Sequence, residues 1–262
     1  MTGVLAMDLQ LRGKTALVTG ASRGIGLAVV RALVDEGVRV VAAARNVGGE
    51  LAELPVETVA VDLATVEGAA GVVDEAIERV GGIDILVNNV GLVHPRLNGF
   101  AEVTDDEWLA TFNLDLMSAI RTTRAALPSL IERAGSIVTV TSINATLPTP
   151  TVVDYSAAKA ACLSTFKALA RELGPQGVRV NTVSPGPVST DLWLGKGGVA
   201  ATVAGADGDP QAVAATAAAD APTGRFTRPE EFGDLVAFLA SGRVGNLTGA
   251  DIIIDGGLNP VM

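Results

Sequence analysis

Residues 15–26 read TALVTGASRGIG and decide the fold of this chain. The apolar run 15–19 is typical of a buried strand, and an apolar helical pattern follows the glycines directly. Gly20 permits a tight turn, Gly24 lets the backbone approach a pyrophosphate, and Gly26 lets the helix pack closely against the sheet. The free N–H groups and the dipole of a helix N-terminus favour an anion there. The segment predicts a phosphate-binding loop, with a purely structural turn as the alternative.

Strands and helices alternate along the rest of the 262 residues. The predicted strands are 15–19, 38–44, 58–61, 83–87, 136–141, 178–183 and 252–254. The predicted helices are 25–36, a segment after Gly48, 65–80, 104–133 behind a Thr-Asp-Asp-Glu cap, 154–173 and 229–241. This spacing predicts an α/β fold with βαβ units, a Rossmann-type doubly wound seven-stranded parallel sheet flanked by helices. We expect a single domain over residues 1–262, with 1–10 as an N-terminal extension.

Residues 195–221 stand apart because they are rich in Ala and Gly and are interrupted by Pro210 and several Asp. Two interpretations stay open, a disordered surface loop and a mobile lid. We expect the wider segment 191–222 to be a substrate loop.

Composition narrows the possible partners. The net charge of −10 and the pI of about 4.6 argue against nucleic acid and membrane surfaces as partners. The single cysteine, Cys162, can form neither an internal disulfide nor a metal cluster, and we expect a packed core thiol and no metal. Residues 1–10 do not resemble a signal peptide, and no run of 18 apolar residues is present. A cytoplasmic protein with a small-molecule substrate is therefore expected.

The end of the second predicted strand indicates the cofactor. It reads Ala43-Ala44-Arg45-Asn46, without the acidic residue that receives the ribose 2′-hydroxyl of NAD. Arg45 could bind a 2′-phosphate, with Arg23 beside it. The pattern favours NADP(H) over NAD(H), while two solvated surface arginines are the alternative.

Tyr155 is the only tyrosine, and Lys159, one of four lysines, follows it by four residues. Positions i and i+4 share a helix face, so both side chains can meet one substrate. A free phenol has a pKa of about 10, and we expect the ammonium of Lys159 to lower that pKa toward the range of a general acid/base. Ser142 ends the fifth predicted strand, where its hydroxyl could orient a reacting oxygen. A packing tyrosine and a solvent-facing serine are the alternatives.

These residues belong to a longer series of ordered motifs. The series comprises 19–26, Asp62, Asn88-Asn89-Val90-Gly91, Asn113, Ser142, Tyr155-Ser156-Ala157-Ala158-Lys159 and Ser184-Pro185-Gly186-Pro187-Val188. With them, the chain from about Leu11 to Leu258 resembles the short-chain dehydrogenases/reductases, in the branch that includes the 3-oxoacyl-carrier-protein reductases. The resemblance implies hydride transfer between the nicotinamide of NADP(H) and a carbonyl or secondary alcohol.

The resemblance also assigns roles. Tyr155 is the proton donor and acceptor, Ser142 orients the oxygen, Lys159 holds the cofactor ribose, and Asn113 holds a water that relays protons through the lysine; a polar helix residue is the alternative for Asn113. The remaining cofactor contacts that it implies are Gly20, Ser22, Arg23, Gly24, Ile25, Gly26, Arg45, Asp62, Leu63, Asn89, Val90, Gly91, Pro185, Gly186, Val188 and Thr190. Val90 departs from the more usual Ala and should only crowd its turn. A homotetramer or a homodimer, paired through the helices around Asn113 and Tyr155, is implied as well.

The substrate is left open by the sequence. The candidate pocket residues are Leu92, Val93, His94, Asn144, Leu147, Pro148, Leu192 and Trp193, and His94 is given no proton role. This mostly apolar set favours a hydrophobic ketone, an acyl thioester or a cyclic alcohol. The loop between Thr190 and Gly224 is longer than in the acyl-carrier reductases, which argues against fatty-acid synthesis. A non-catalytic NADP(H)-binding regulator and a methyltransferase are the rival functions, and the Tyr–Lys pair argues against both.

Overall fold

The structure, a computed structural model, describes residues 7–260; residues 1–6 of the expected N-terminal extension lie outside the described part. Seven parallel strands form one sheet in the order β3-β2-β1-β4-β5-β6-β7. The strands are β1 Thr15–Thr19, β2 Arg39–Ala44, β3 Glu57–Ala60, β4 Ile85–Asn88, β5 Ser136–Val140, β6 Arg179–Pro185 and β7 Asp251–Ile254. The predicted doubly wound seven-stranded sheet is confirmed, with strand bounds close to those predicted.

Helices cover both faces of the sheet. They are α1 Gly24–Asp35, α2 Val66–Val80, α3 Asp105–Phe112, α4 Ser118–Glu132, α5 Val153–Leu173, α6 Asp191–Leu194, α7 Val199–Ala204, α8 Pro210–Ala219 and α9 Pro229–Ala240. Successive strand residues point to opposite faces, so Leu17 packs with α2, α4 and α5, whereas Val18 packs with α1 and α9. Such two-sided burial explains why the strands are continuous apolar runs.

The buried side chain of Asp84, the residue before β4, links β4 to β1 at the end of the sheet where these strands begin. Its Oδ2 accepts hydrogen bonds from the backbone N–H of Thr15 at 2.9 Å and from the Thr15 hydroxyl at 2.8 Å. Lys14 pairs with Oδ1 at 3.1 Å. These contacts lock β1 to β4 at the edge opposite the carboxyl ends of the strands.

The predicted helix 104–133 is interrupted. Thr104 caps it with Glu107 as predicted, since the Thr104 N–H donates to Glu107 Oε2 at 2.9 Å and the Glu107 N–H donates to Thr104 Oγ1 at 3.3 Å. Between α3 and α4, however, residues Asn113–Met117 form a π turn. Such turns are rare and are frequently found at functional sites. The helical segment predicted after Gly48 is a short 3₁₀ turn, Gly49–Glu53.

The segment 195–221, for which a disordered surface loop and a mobile lid were both left open, contains the two regular helices α7 and α8. Its alanines favour helix, and the N–H of Gln211 donates to Asp209 Oδ1 at 2.8 Å to cap α8, whose first residue is Pro210. Gly205 ends α7 at a φ of 70°, a conformation that glycine adopts readily. Across residues 7–260, no helix combines the length and the apolar character that crossing a membrane would require.

Candidate active site

One large cleft lies along the carboxyl ends of the strands. Strand order reverses beside β1, since β2 and β3 lie on one side of it and β4 to β7 on the other. In open α/β sheets this switch point is where ligands bind. The cleft has a volume of about 890 Å³, which is in the range of cofactor and ligand pockets. The site residues predicted from the sequence can therefore be placed relative to it.

The glycine loop forms one end of the cleft. Gly20 and Gly24 have φ values of +64° and +56°, where side chains with a Cβ are disfavoured. A Cβ on Gly26 would collide with the carbonyl oxygen of Gly20 and lie 2.5 Å from Asn89 Nδ2, so this glycine serves close packing and does not line the cleft. Asn89 fastens the loop, because its Nδ2 donates to the Gly20 carbonyl at 3.0 Å.

The first turn of α1 faces this loop. Arg23, the residue before α1, makes no side-chain cap hydrogen bond, so that the leading N–H groups of the helix stay available to an anion. The loop residues that line the cleft are Gly20, Ser22, Arg23, Gly24 and Ile25. This cradle fits the pyrophosphate of a dinucleotide.

Two guanidinium groups flank the same end. Arg23 and Arg45 are exposed and line the cleft, and neither forms an ion pair with any residue of the described chain. The stretch from Ala43 to Asn46 carries no carboxylate that would compete for them or repel an added phosphate. The arrangement fits a dinucleotide with a phosphate on its ribose.

The middle of the cleft is lined by Asp62, Leu63, Asn89, Val90 and Gly91, which were predicted to contact the cofactor. Asp62 is exposed, and its Oδ1 accepts the N–H of Ala64 at 3.0 Å. A Cβ on Gly91 would lie 2.9 Å from Lys159 Nζ, so that a glycine is needed where the lysine passes. At the far end, Pro185, Gly186, Val188 and Thr190 line the cleft after β6, also as predicted.

Tyr155, Lys159 and Ser142 come together in the cleft, as the sequence predicted. Tyr155 and Lys159 lie on one face of α5, with Lys159 Nζ 5.6 Å from the centre of the phenol ring. Lys159 is buried, and its Nζ donates to the carbonyl of Val140 at the end of β5, at 3.3 Å. The Ser142 hydroxyl accepts the N–H of Asn144 at 3.1 Å and donates to Asn144 Oδ1 at 3.2 Å.

The pKa of Tyr155 is set by opposing effects. Burial raises the pKa of the phenol above its ordinary value of 10.0, and the charge of Asp115 raises it further. Lys159 and a hydrogen bond with Ser142 lower the pKa, as predicted for Lys159, but they do not outweigh burial. The lowering effect of Lys159 on the pKa is therefore present as expected, and burial outweighs it in the protein without a bound cofactor.

The side chain of Asn113, which was expected to hold a water of the proton relay, is bound by neighbouring residues. Its Nδ2 donates to the Ala64 carbonyl at 2.8 Å, and its Oδ1 accepts from Arg121 at 2.7 Å, so the side chain is bound to the α2 side and does not line the cleft. The side chain from the π turn that reaches Lys159 is instead Asp115, whose Oδ1 lies 3.5 Å from Nζ. Sequence reasoning missed Asp115, although a carboxylate between two leucines at 114 and 116 was a visible signal.

The substrate half of the cleft is formed by both polar and apolar side chains. Of the predicted residues, Leu92, Val93, Asn144, Leu147, Leu192 and Trp193 line it. His94 and Pro148 are exposed and do not line it, because their loops turn those side chains toward solvent. Val199 of α7 and Ala217 and Asp220 at the end of α8 complete the lining and were not predicted. Trp193 is held edge-on against Phe226, with ring centres 5.2 Å apart.

Two further observations concern the single cysteine and metal sites. Cys162 lies in the core among apolar residues, and burial raises its pKa to about 11, so it is the packed thiol that was expected. Within residues 7–260, no group of three His, Cys, Asp or Glu side chains has the arrangement of a metal site.

Known proteins resemble this chain over nearly its whole length. Residues 20–259 match the family model described as enoyl-(acyl carrier protein) reductase. A 3-oxoacyl-[acyl-carrier-protein] reductase from Vibrio harveyi is 36% identical over 256 residues, which cover 95% of this chain and 99% of that protein. An L-xylulose reductase from Bos taurus is 38% identical over 258 residues, which cover 96% of this chain and 98% of that protein.

Solved structures agree with these matches. The structure of L-sorbose reductase from Gluconobacter frateurii, complexed with NADPH and L-sorbose, has a TM-score of 0.90 and is 34% identical. The match covers 98% of this chain and 100% of that one. Aldohexose dehydrogenase from Thermoplasma acidophilum has a TM-score of 0.83 at 27% identity, covering 96% and 97% of the two chains.

The fold, the cleft and these matches define an NAD(P)-dependent oxidoreductase that acts on CH–OH or C=O groups. The chain belongs to the short-chain dehydrogenase/reductase family and is similar to the 3-oxoacyl-carrier-protein reductases within it.

Proposed function

We propose that the protein is an NADP(H)-dependent reductase that transfers a hydride to a ketone or aldehyde, with Tyr155 as general acid/base. The observation that carries the proposal is the meeting of Tyr155, Ser142 and Lys159 in the cleft whose other end holds the glycine loop. A purely regulatory NADP(H)-binding protein has no need of such a group of proton-handling side chains. A methyltransferase is disfavoured for the same reason and by the missing carboxylate after β2.

Each side chain has a separate task in this proposal. Tyr155 gives its proton to the carbonyl oxygen during reduction and takes it back during alcohol oxidation. The Ser142 hydroxyl, held by the Asn144 N–H, binds that oxygen and orients it. Lys159 binds the cofactor ribose and places its positive charge beside the phenol. NADPH, when bound, supplies the hydride.

The cofactor preference rests on the two flanking arginines. Arg45 and Arg23 can form charge-assisted hydrogen bonds with a ribose phosphate. The acidic residue that would bind the free 2′-hydroxyl of NAD is absent from residues 43–46, after β2. The NADPH-bound structure of L-sorbose reductase, with its TM-score of 0.90, supports the same preference. We propose that the predicted cofactor contacts that line the cleft bind NADP(H) in this orientation.

The observations define the reaction class more narrowly than the substrate class. The similar proteins are named for an acyl-carrier substrate in one case and for ketoses in two others. In the substrate half, Asn144, Thr149 and Asp220 lie beside Leu147 and Trp193, so that half suits a ketone that is partly polar. For the assembly, we propose a homotetramer or a homodimer, since the apolar side chains of Phe100 and Leu109, on and beside α3, are exposed. We also propose that the protein acts in the cytoplasm.

The test follows nicotinamide absorbance over time with NADPH or NADH. The panel contains ketoses, hydrophobic ketones, aldehydes, quinones and acyl thioesters, and wild type is compared with Tyr155→Phe. We expect turnover with NADPH that falls by about 10²–10⁴ in the variant, while NADPH still binds. Unchanged turnover in Tyr155→Phe would contradict the role of Tyr155. NADPH binding without turnover on the whole panel, in either direction, would favour the regulatory function.

A further inference from the structure

Asp115 is a buried carboxylate beside the active-site lysine, and the proposed chemistry gives it no task. It lies in the π turn Asn113–Met117 and is only 1% exposed. Removing a carboxylate from water is costly unless a cation or several hydrogen bonds replace the water. A carboxylate in this position is therefore held there by specific partners.

The partners connect Asp115 to Lys159. Asp115 Oδ1 lies 3.5 Å from Lys159 Nζ and accepts the N–H of Leu92, in the loop after β4, at 3.0 Å. Both charged side chains are almost completely buried, at 4% exposure for the lysine and 1% for the aspartate. Asp115 Oδ2 is also buried and has no hydrogen-bond partner among the described residues. Its negative charge is thus directed at the active-site lysine rather than spread over several donors.

Among residues 7–260, the ionisable groups that interact most strongly with Asp115 lie on α5. They are Lys159, Tyr155, Cys162 and Asp154. The loop after β4 contributes the Leu92 amide. Burial raises the pKa of Asp115 to about 6, although Lys159 and the Leu92 N–H act to lower it. The carboxylate is therefore mostly ionised at neutral pH, and its charge raises the pKa of Tyr155.

We propose that Asp115 is a positioning residue that fixes Lys159 and keeps Tyr155 in its protonated form, so that the site favours carbonyl reduction over alcohol oxidation. The proposal rests on the proposed function, because reduction needs the phenol and oxidation needs the phenolate. An amide at position 115 would still accept the Leu92 N–H through its oxygen, but it would lack the charge. Asp115→Asn therefore removes the electrostatic effect while the loop contact is retained.

The first test does not depend on any substrate. Tyr155 is the only tyrosine, so the ultraviolet absorbance of phenolate during an alkaline titration reports on this residue alone. We expect the Tyr155 transition of the cofactor-free protein to move to lower pH by about one unit in Asp115→Asn, the smaller end of the effect of one nearby charge. Asp84→Asn is the matched control, because Asp84 is another buried carboxylate but lies at the opposite edge of the sheet. This control should leave the transition unchanged.

A second pair of variants keeps the test decisive if Asp115→Asn does not fold. Asp115→Asn leaves the Lys159 cation buried without its counter-ion, whereas Asp115→Asn combined with Lys159→Met leaves neither charge. The combined variant is compared with Lys159→Met alone. Since no ammonium is present in either protein, a downward shift of the Tyr155 transition on removal of the carboxylate is its direct effect. Absence of that shift, or an upward shift, overturns the proposal.

Kinetics then separate this proposal from the proposed function. For any ketone that the wild type reduces, the pH at which reduction declines on the alkaline side should fall by about one unit in Asp115→Asn. A variant with a lower rate but an unchanged pH profile would show a merely structural role and contradict the proposal. If no substrate is turned over, the proposed function fails, yet the phenolate titration still decides whether Asp115 controls the proton on Tyr155.

Discussion

The guanidinium of Arg96 lies 2.6 Å from Oδ2 of Asp154. Asp154 is the residue that directly precedes the active-site Tyr155 in the chain. Asp154 is buried, and the Thr111 hydroxyl donates to the same oxygen at 2.8 Å. Arg96 also contacts Glu107 at 2.6 Å. One arginine thus ties the loop after β4 to both α3 and α5, close to the residue that is to transfer the proton.

We predict that Arg96→Met destabilises the protein by about 3–5 kcal/mol at neutral pH, because it leaves the Asp154 charge buried without its cation. Thermal and urea unfolding measure the loss. In the wild type, burial raises the pKa of Asp154, but the hydrogen bonds from Arg96 and Thr111 outweigh it and the pKa is lowered. The lowered pKa stabilises the fold above the ordinary value of 3.8, and this stabilisation is lost as the pH falls below it.

In Arg96→Met the pKa of Asp154 should shift in the opposite direction, upward, because burial is no longer outweighed by the hydrogen bonds from Arg96. The deficit relative to wild type should therefore shrink in mildly acidic buffer, where Asp154 can take up a proton. Arg79→Met is the control, since the ion pairs of Arg79 within residues 7–260 are with the exposed Glu57 and Glu75, and its other partner is the Thr58 carbonyl. It should cost less than about 1 kcal/mol at any of these pH values. A deficit in Arg96→Met that does not vary with pH would contradict the assigned cause.

The glycine loop gives a second prediction. Gly26→Ala should abolish measurable NADPH binding and lower the melting temperature, because its Cβ would collide with the Gly20 carbonyl. Gly71→Ala is a matched control on α2, where a Cβ meets nothing within 4 Å. This control should stabilise the protein by about 0.5–1 kcal/mol and leave binding unchanged. Fluorescence titration with NADPH, together with thermal unfolding, measures both effects; normal binding in Gly26→Ala would disprove the assigned packing role.

Cofactor selectivity depends on Arg45 in this proposal. We predict that Arg45→Ala lowers kcat/KM with NADPH by about ten- to a hundredfold, the loss expected for a charged hydrogen-bond pair, and leaves kcat/KM with NADH nearly unchanged. Arg31→Ala is the control, because Arg31 lies on α1 and pairs with Glu50. Equal losses with both cofactors would show that Arg45 does not contact a 2′-phosphate.

Trp193 allows the substrate half to be tested separately from the cofactor half. Trp193→Ala should raise KM for the carbonyl substrate by about ten- to a hundredfold, because a large apolar contact is lost, while the KM for NADPH stays the same. Trp108→Ala provides a control, since Trp108 packs between Phe100 and Phe112 and is not part of the cleft. A parallel rise of both KM values in Trp193→Ala would place this residue in the cofactor site instead.

The sequence predicted the sheet, and placed the glycine loop at the end of its first strand, because their signals are local. The buried strands are continuous apolar runs, and residues 15–26 carry strand, glycines and helix start in one segment. The Tyr155–Lys159 spacing likewise needs only a regular helix, and α5 is regular there. These parts could be predicted without knowledge of any contact between distant residues.

The omissions arise where the outcome depends on such contacts. Sequence reasoning did not identify Asp115, from the π turn that also contains Asn113, as the side chain that contacts Lys159. The net pKa of Tyr155 depends on burial by the whole domain. The helices α7 and α8 follow from alanine content, but Gly205 and Pro210 concealed them because these residues usually interrupt helices.

The π turn has a consequence for how this site can change over time. A π turn arises when one residue is inserted into an α-helix, and each residue of an α-helix rotates the chain by about 100°. Deleting a single codon within 113–117 would restore a regular helix and rotate the side chains of this turn relative to α5 by up to that angle. Asp115 could then no longer face Lys159, although every other active-site residue would be unaltered. In this chain, an insertion or deletion can create or remove the contact between Asp115 and Lys159 as effectively as any substitution.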